Sequence, residues 1–331
     1  MSTIHFLNVR NGDCILIQHS SGRVTMIDIC CGNITPLEKL VNDCISIGNE
    51  VGKSPILKTD FKMCLKPTKP QDYMKNIGIS EIWRFILTHP DMDHMDGFDS
   101  LFSEYQVSNF WDSGARKEKP VFGNQNRYKE EDWDRYVNVR DGRDANVNSL
   151  SVYAGKIFKY ANMNDNNFEG DELTILAPTE TLVEEANKKG DFNDCSFVLL
   201  YKTSDKKIIF SGDSHDKTWE YILDNYKQDV ANCDLLIAPH HGRYSGRSWD
   251  FLDVLKPKLT LFGCADSEHL AYSAWSNRNL YKITNNQAGN IVIASNGNQL
   301  DVYVENESFA KKLEVDLNIK NSLGYVFLGY I

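Results

Sequence analysis

No stretch of this sequence approaches the roughly 20 apolar residues that a membrane span requires. The opening MSTIHFLNVRNGD lacks the basic start and apolar run of a signal peptide, so the expected location is cytoplasmic, without a membrane partner. The eight cysteines include no CxxC pair, and the adjacent Cys30 and Cys31 fit neither a disulfide framework nor a zinc knuckle. They read as reduced, mostly buried thiols. Basic excess is also missing: the formal net charge is −10, which disfavours tight, indiscriminate gripping of duplex phosphates. No repeat or linker divides the chain, which is read as a single domain over 1–331, with a loop-rich insertion at about 112–170 and an added β-rich segment at about 290–331.

What is present begins as a sheet. HFLNVRNGDCILIQH and VTMIDIC are β-rich runs separated by the Ser20-Ser21-Gly22 turn, and NGD places a Gly-Asp pair at 12 and 13. From Thr35 to Gly78 the pattern becomes helix-compatible, and the prolines of KPTKPQDYMKNIG suit the start of a helix. EIWRFILT, Glu81 to Thr88, reads as a buried strand. A second β-rich half runs through LTILAP, CSFVLLYK, KKIIFSGD, CDLLIAPHHG, KLTLFG and NIVIAS, with helical TETLVEEANKK and HDKTWEYILDNYK between strands. Two strand-and-helix halves, each ending strands in polar clusters, predict an α+β sandwich with one active edge. The insertion is expected to be mainly loop with short helices. Its Phe122, Tyr128, Trp133 and Tyr136, with Trp111 before it, either pack or stack on bases.

The chemistry concentrates in HPDMDH. Within six residues, His89, Asp91, Asp93 and His94 supply four ligand-type side chains just after a buried strand. Imidazole combined with carboxylate suits zinc, manganese or iron better than calcium. Such a site needs further ligands, and two other strand ends offer them: Ser211-Gly212-Asp213, whose aspartate can bridge two cations, and His240-His241-Gly242. Arg243 and Arg247 follow the paired histidines and are candidate substrate-binding groups, with His269 a further one. The Arg116-Lys117-Lys119 cluster reads first as solvated surface charge and otherwise as a holder of a small phosphorylated substrate or a strand end, and His215 as a helix-start residue.

This set resembles the metallo-β-lactamase superfamily, whose usual signature is HxHxDH, and more closely its HxDxDH branch, as in the soluble hydrolase domain of ComEC-like proteins. NGDCILI, MIDIC, LTILAP, FSGD and APHHG occur in matching order, and the resemblance spans roughly residues 4 to 265. It implies a four-layer αββα sandwich, with two divalent metal ions, zinc or manganese, at the sheet edge and a bridging hydroxide between them. It further implies His89 and Asp91 on one metal, Asp93 and His94 on the other, and Asp213 bridging. His241 is favoured as the remaining ligand and His240 as a proton donor or a contact to substrate oxygen, with the reverse left open. Asp93, Asp213 and His240 are thus the expected catalytic residues. Many members supply a further histidine to the first metal; here Asn193 or Asp194 stands nearby instead, which predicts a weaker first site or a harder ion. Asp28 sits where members place a turn aspartate or one behind a ligand.

Hydrolysis is the implied reaction. A phosphodiesterase or nuclease is the leading expectation, acting on single-stranded nucleic acid, a strand end or a smaller phosphodiester. A carbonyl hydrolase of lactones, thioesters or β-lactams is the alternative within enzymes. Outside them stands a metal-binding interaction module in nucleic-acid uptake or defence. The C-terminal strands are expected to cover a sheet edge or to pair with a partner protein or a second copy.

Overall fold

A computed structural model of the chain describes residues 1–32, 61–123, 127–163, 169–264 and 269–331. The helix-compatible stretch expected from Thr35 therefore lies outside the described residues as far as position 60. Its remainder contains α1 (Pro70–Asn76), with Pro70 at the first helical position, where a missing N–H costs nothing.

The N-terminal run folds as a meander of β1 (Thr3–Phe6), β2 (Ile15–Gln18) and β3 (Val24–Ile27), antiparallel throughout. After the short β4 (Ile29–Cys30) comes β5 (Glu81–Ile86), which lies parallel to β3. The two-residue β6 (Met95–Asp96) pairs with β4. β7 (Gln106–Asp112) and β8 (Asn148–Ser151) extend the sheet in parallel beyond β5. The second half supplies β9 (Leu173–Ala177), β10 (Val198–Thr203) and β11 (Lys206–Phe210), antiparallel to one another. Parallel strands β12 (Leu235–Ile237), β13 (Leu259–Phe262) and β14 (Lys282–Thr284) follow. The chain returns to the first sheet through β15 (Ile291–Asn296), β16 (Gln299–Val304) and β17 (Val326–Tyr330), stacked antiparallel on β1. The result is a nine-stranded sheet facing a six-stranded one.

Period-two alternation explains why two sheets stack and why each carries helices outside. On β2, Ile15 and Ile17 enter the core between the sheets while Leu16 enters the outer core. On β11, Ile208 and Phe210 face inward and Ile209 outward. The outer face of the larger sheet is covered by α1, α2 (Phe98–Glu104) and α3 (Glu130–Arg140), through Met74, Phe98, Leu101, Trp133 and Tyr136. After α4 (Glu180–Lys189), the smaller sheet is covered by α5 (Asp216–Val230), α6 (Leu252–Leu255) and α7 (Tyr272–Ser276), through Trp219, Ile222, Leu252 and Trp275. The architecture is the expected four-layer αββα sandwich.

Between Asp112 and Gly170 the structure contains α3, in keeping with the helices expected in this segment, and the edge strand β8, which was not expected. Trp111, Trp133 and Tyr136 are buried, so of the two roles open to these aromatics they pack. No described helix is long and apolar enough to cross a membrane. Among the described residues, Cys14, Cys30, Cys31, Cys195, Cys233 and Cys264 are free thiols.

Candidate metal centre

The candidate residues sit where parallel strands end. β3 runs into Asp28 and β5 into Thr88 and His89, while β11 runs into Asp213 and β12 into His240 and His241. Parallel pairing points all four carboxyl ends to one edge, the usual location of sites in such sheets.

Asp213 lies at the middle. Its Oδ2 is 3.8 Å from His89 Nε2 and 3.6 Å from His240 Nε2, and its Oδ1 is 3.4 Å from His94 Nε2 and 3.9 Å from His241 Nε2. Asp93 Oδ2 stands 3.6 Å from His241 Nε2, and Asp91 Oδ2 stands 3.8 Å from His89 Nε2. Four compact groups of ligand-type atoms result among the described residues: His89–His94–Asp213 and Asp93–His94–His241, which share His94, and Asp13–Asp28–His94 and Asp13–Asp213–His241, which bring in the carboxylates behind the rings. The expected split placed His94 with Asp93 and His241 on the second metal, with Asp213 bridging.

The backs of the rings decide which nitrogen carries the proton. Asp28 accepts from the Thr88 N–H and the Thr88 hydroxyl, each at 2.7 Å, and lies 2.7 Å from His94 Nδ1. A carboxylate only accepts, so His94 Nδ1 is the protonated nitrogen and its Nε2 lone pair faces the centre. Thr88 has given its one proton to Asp28, so at 3.2 Å it accepts from His89 Nδ1, and His89 also aims an Nε2 lone pair inward. His241 repeats the arrangement with Asp13, whose Oδ1 is 3.0 Å from Nδ1. His240 reverses it. The Arg247 guanidinium, which only donates, is 3.0 Å from His240 Nδ1, leaving the neutral ring's proton on Nε2, beside Asp213.

Without a cation, the surrounding carboxylates favour a second proton on His94 and His241, at the inward nitrogen that a cation would take. Burial alone pushes His94 down, but Asp213, Asp28 and Asp93 outweigh it and raise the imidazole well above its ordinary value. Burial likewise opposes a charge on His241, while Asp13 and Asp213 bring it up to about 10. His240 is depressed to about 4, by burial first and then by the charges of His241 and Arg247, against the pull of Asp213. Burial disfavours the Asp213 carboxylate, yet the surrounding histidines hold it well below the usual carboxylate range.

His89 Nε2, His94 Nε2, His241 Nε2 and Asp213 Oδ1 are all buried without a hydrogen-bond partner. Such atoms are costly to bury unless something satisfies them. Nitrogen lone pairs and carboxylate oxygens directed at common points, with each ring held by an acceptor behind it, fit divalent cations.

Backbone placement depends on special conformations. Gly12 has φ +148°, and a Cβ there would lie 2.3 Å from the Asp93 carbonyl oxygen. Only glycine lets this loop press against the HPDMDH segment and bring Asp13 to His241. His240 and His241 are both left-handed, with φ 52° and 58°. His240 N–H is tied to the Gly212 carbonyl at 3.0 Å.

The remaining candidates distribute differently. Arg247, expected to bind substrate, is buried behind His240: its donors go to Ser245 Oγ, the Ser214 carbonyl, His240 Nδ1 and the Asp213 carbonyl. The geometry makes it a holder of the ring. Arg243 is half-buried, and its backbone pairs with Leu270. His269 is exposed and belongs to none of the ligand groups. Asn193 lies half-buried on a 3₁₀ turn over Asn193–Cys195, and Asp194 accepts from Thr218 at the start of α5. His215 immediately precedes α5. The basic cluster divides: Lys119 pairs with Glu130 and Asp134, whereas Lys117 Nζ reaches Asp91 Oδ1 at 2.6 Å. Asp13, Thr88 and Lys117 are the site residues that the sequence did not assign; the Gly-Asp pair of NGD was the one available signal for Asp13.

No family model and no curated protein matches the sequence. Among solved structures, the chain is similar to Igni18, a novel metallo hydrolase from the hyperthermophilic archaeon Ignicoccus hospitalis, at 14% identity over 89% of this chain and 100% of that one, with a TM-score of 0.48. It is similar to Tm1679, a metal-dependent hydrolase of the β-lactamase superfamily, at 14% identity over 86% and 96% of the two chains, with a TM-score of 0.47. Similarity to the metallo-β-lactamase fold protein YhfI from Bacillus subtilis is 9% in identity over 86% and 96%, with a TM-score of 0.43.

Proposed function

We propose that this chain is a metal-dependent hydrolase that holds two divalent cations, zinc or manganese, and cleaves a phosphodiester, with single-stranded nucleic acid as the candidate macromolecular substrate. The reading is carried by the four buried, unpartnered ligand atoms of His89, His94, His241 and Asp213. His89, Asp91 and one oxygen of Asp213 would hold one cation, and Asp93, His94, His241 and the other oxygen of Asp213 the second. Bound there, such ions lower the pKa of water and polarise the oxygen of the group attacked.

The chain's own contribution is orientation and a hydrogen-bond donor. Asp28, Asp13 and Thr88 hold three rings with Nε2 inward, so a cation would meet oriented rings and displace only the protons on His94 and His241. His240, held by Arg247, presents an Nε2–H beside Asp213, placed to donate to an oxygen of the substrate or to a departing one. The preference for a phosphoryl over a carbonyl substrate is supported by the cation at the rim, where the partly exposed Lys117 meets Asp91. The nuclease reading adds the HPDMDH, SGD and HHG resemblance to ComEC-like hydrolases.

The test is metal content by mass spectrometry together with manganese-dependent cleavage of bis-p-nitrophenyl phosphate and of single-stranded DNA. Asp213→Ala is expected to lose metal and activity together. His240→Ala is expected to keep its metal while the rate falls roughly 10²–10³-fold, the contribution of a positioned hydrogen-bond donor to a developing negative oxygen. Turnover of esters or lactones in place of diesters would replace the reading with a carbonyl hydrolase. A protein that stays metal-free and inactive after manganese loading would replace it with an interaction module.

A further inference from the structure

We infer that Lys117 is a specificity-determining residue that binds the anionic oxygens of a phosphoryl substrate beside the metal centre, an inference that rests on the phosphodiesterase reading above. Lys117 belongs to the segment that follows β7, the larger sheet's contribution to the active edge. Its Nζ is 2.6 Å from Asp91 Oδ1, while the other oxygen of that carboxylate stands 3.8 Å from His89 Nε2. Asp91 therefore faces two ways, one oxygen to the centre and one to the lysine. The ammonium also lies 5.6 Å from the centre of the buried Phe192 ring, which limits where the side chain can swing.

A lysine has three donors, and the Asp91 contact uses one. The others remain reachable, since 28% of the Lys117 side chain and 35% of the Asp91 side chain are exposed. Once a cation engages the inward oxygen of Asp91, less of that carboxylate's charge is left to neutralise the ammonium. The ammonium is then a free positive charge at the rim, within a side chain's reach of the reacting group. A phosphate diester keeps an anionic oxygen throughout hydrolysis and gains from such a group, whereas a neutral ester or lactone does not.

The experiment compares wild type, Lys117→Met and Lys117→Arg, all loaded with manganese, in three measurements: manganese affinity, binding of inorganic phosphate by calorimetry, and bis-p-nitrophenyl phosphate kinetics. For Lys117→Met, phosphate affinity is expected to fall and KM to rise about tenfold, the effect of losing one hydrogen bond to a charged group. kcat should stay within about threefold, manganese affinity should be equal or tighter, and Lys117→Arg should restore most of the phosphate binding. If manganese affinity falls while phosphate binds the metal-saturated variant as tightly as wild type, Lys117 merely positions Asp91 and the inference is overturned. If wild type binds phosphate in a Lys117-dependent manner without cleaving any diester, the phosphodiesterase reading fails and the anion site stands. Cleavage by wild type with phosphate binding and KM unaffected by Lys117→Met leaves that reading standing and removes the inference.

Discussion

Asp28→Asn changes one atom and should change what His94 is able to bind. In the native protein the Asp28 carboxylate takes three short contacts, from the Thr88 N–H, the Thr88 hydroxyl and His94 Nδ1, each at 2.7 Å and all buried. Asparagine fits the same space but must put its NH₂ at one of the two oxygen positions. With the oxygen kept toward the Thr88 N–H, the NH₂ donates to His94 Nδ1, and the ring proton moves to Nε2, which then has no lone pair for a cation. With the amide reversed, two buried donors meet at Thr88, which costs about 1–3 kcal/mol. Metal affinity is therefore expected to fall 10- to 100-fold, the usual consequence of losing a group that orients a ligand. That corresponds to about 1.4–2.8 kcal/mol. Competition with a chelating dye reads the affinity, and circular dichroism establishes that the variant is folded. A folded Asp28→Asn protein with affinity within twofold of wild type would refute the tautomer argument, and with it the assignment of His94 as an Nε2 ligand.

Two further predictions concern stability. Gly12→Ala places a Cβ 2.3 Å from the Asp93 carbonyl oxygen, and neither backbone has room to yield. Urea unfolding of the metal-free protein should show a loss of roughly 3 kcal/mol. Gly22→Ala, also at positive φ but with nothing within 4 Å, should lose only about 1 kcal/mol, and equal losses would refute the steric reading. His19, buried between Thr25 and the Tyr201 ring, is depressed to about 4, chiefly by burial and also by the Arg84 and Arg23 charges, against Asp171. The unfolded imidazole takes its proton near pH 6.5, earlier than the folded one. Stability is therefore complete above pH 6.5 and falls between 6.5 and about 4, by about 3 kcal/mol at most. Urea midpoints across that range should drop more steeply for wild type than for His19→Gln, and parallel curves would count against the assignment.

The sequence displayed the metal centre where ligand types crowd together or close an apolar run. HPDMDH is dense enough to stand out, and Asp213 and the histidine pair each end a recognisable strand. Two β-rich halves whose strands end in polar clusters foretold a sandwich with one active edge, and the resemblance supplied its four layers. What was not legible depends on distance along the chain. Asp13 meets His241 across 228 positions, a contact that exists only after both sheets stack. Lys117 looked like surface charge because its neighbours Arg116 and Lys119 are basic too, and nothing local distinguishes the residue that turns toward Asp91. Arg247 was read by its charge alone, whereas burial against two backbone carbonyls gives it an internal role. β8 was missed because NSLS has neither an apolar face nor strong β-formers, and sheet-edge pairing with β7 overrides that weak preference.

The two left-handed histidines have a consequence for how much chemistry a short segment can carry. Neighbours on a strand point to opposite faces, and neighbours on a helix diverge by about a quarter turn, so adjacent residues rarely serve one small volume. Here successive left-handed residues curl the backbone around the site, with the rings 5.8 Å apart and 81° between their planes. One ring therefore addresses each oxygen of a single carboxylate, and four residues, PHHG, provide both a ligand nitrogen and a hydrogen-bond-donating N–H. An inserted or deleted residue at this point would exchange those two roles instead of merely weakening them, so the spacing of the segment is as much a functional element as its histidines.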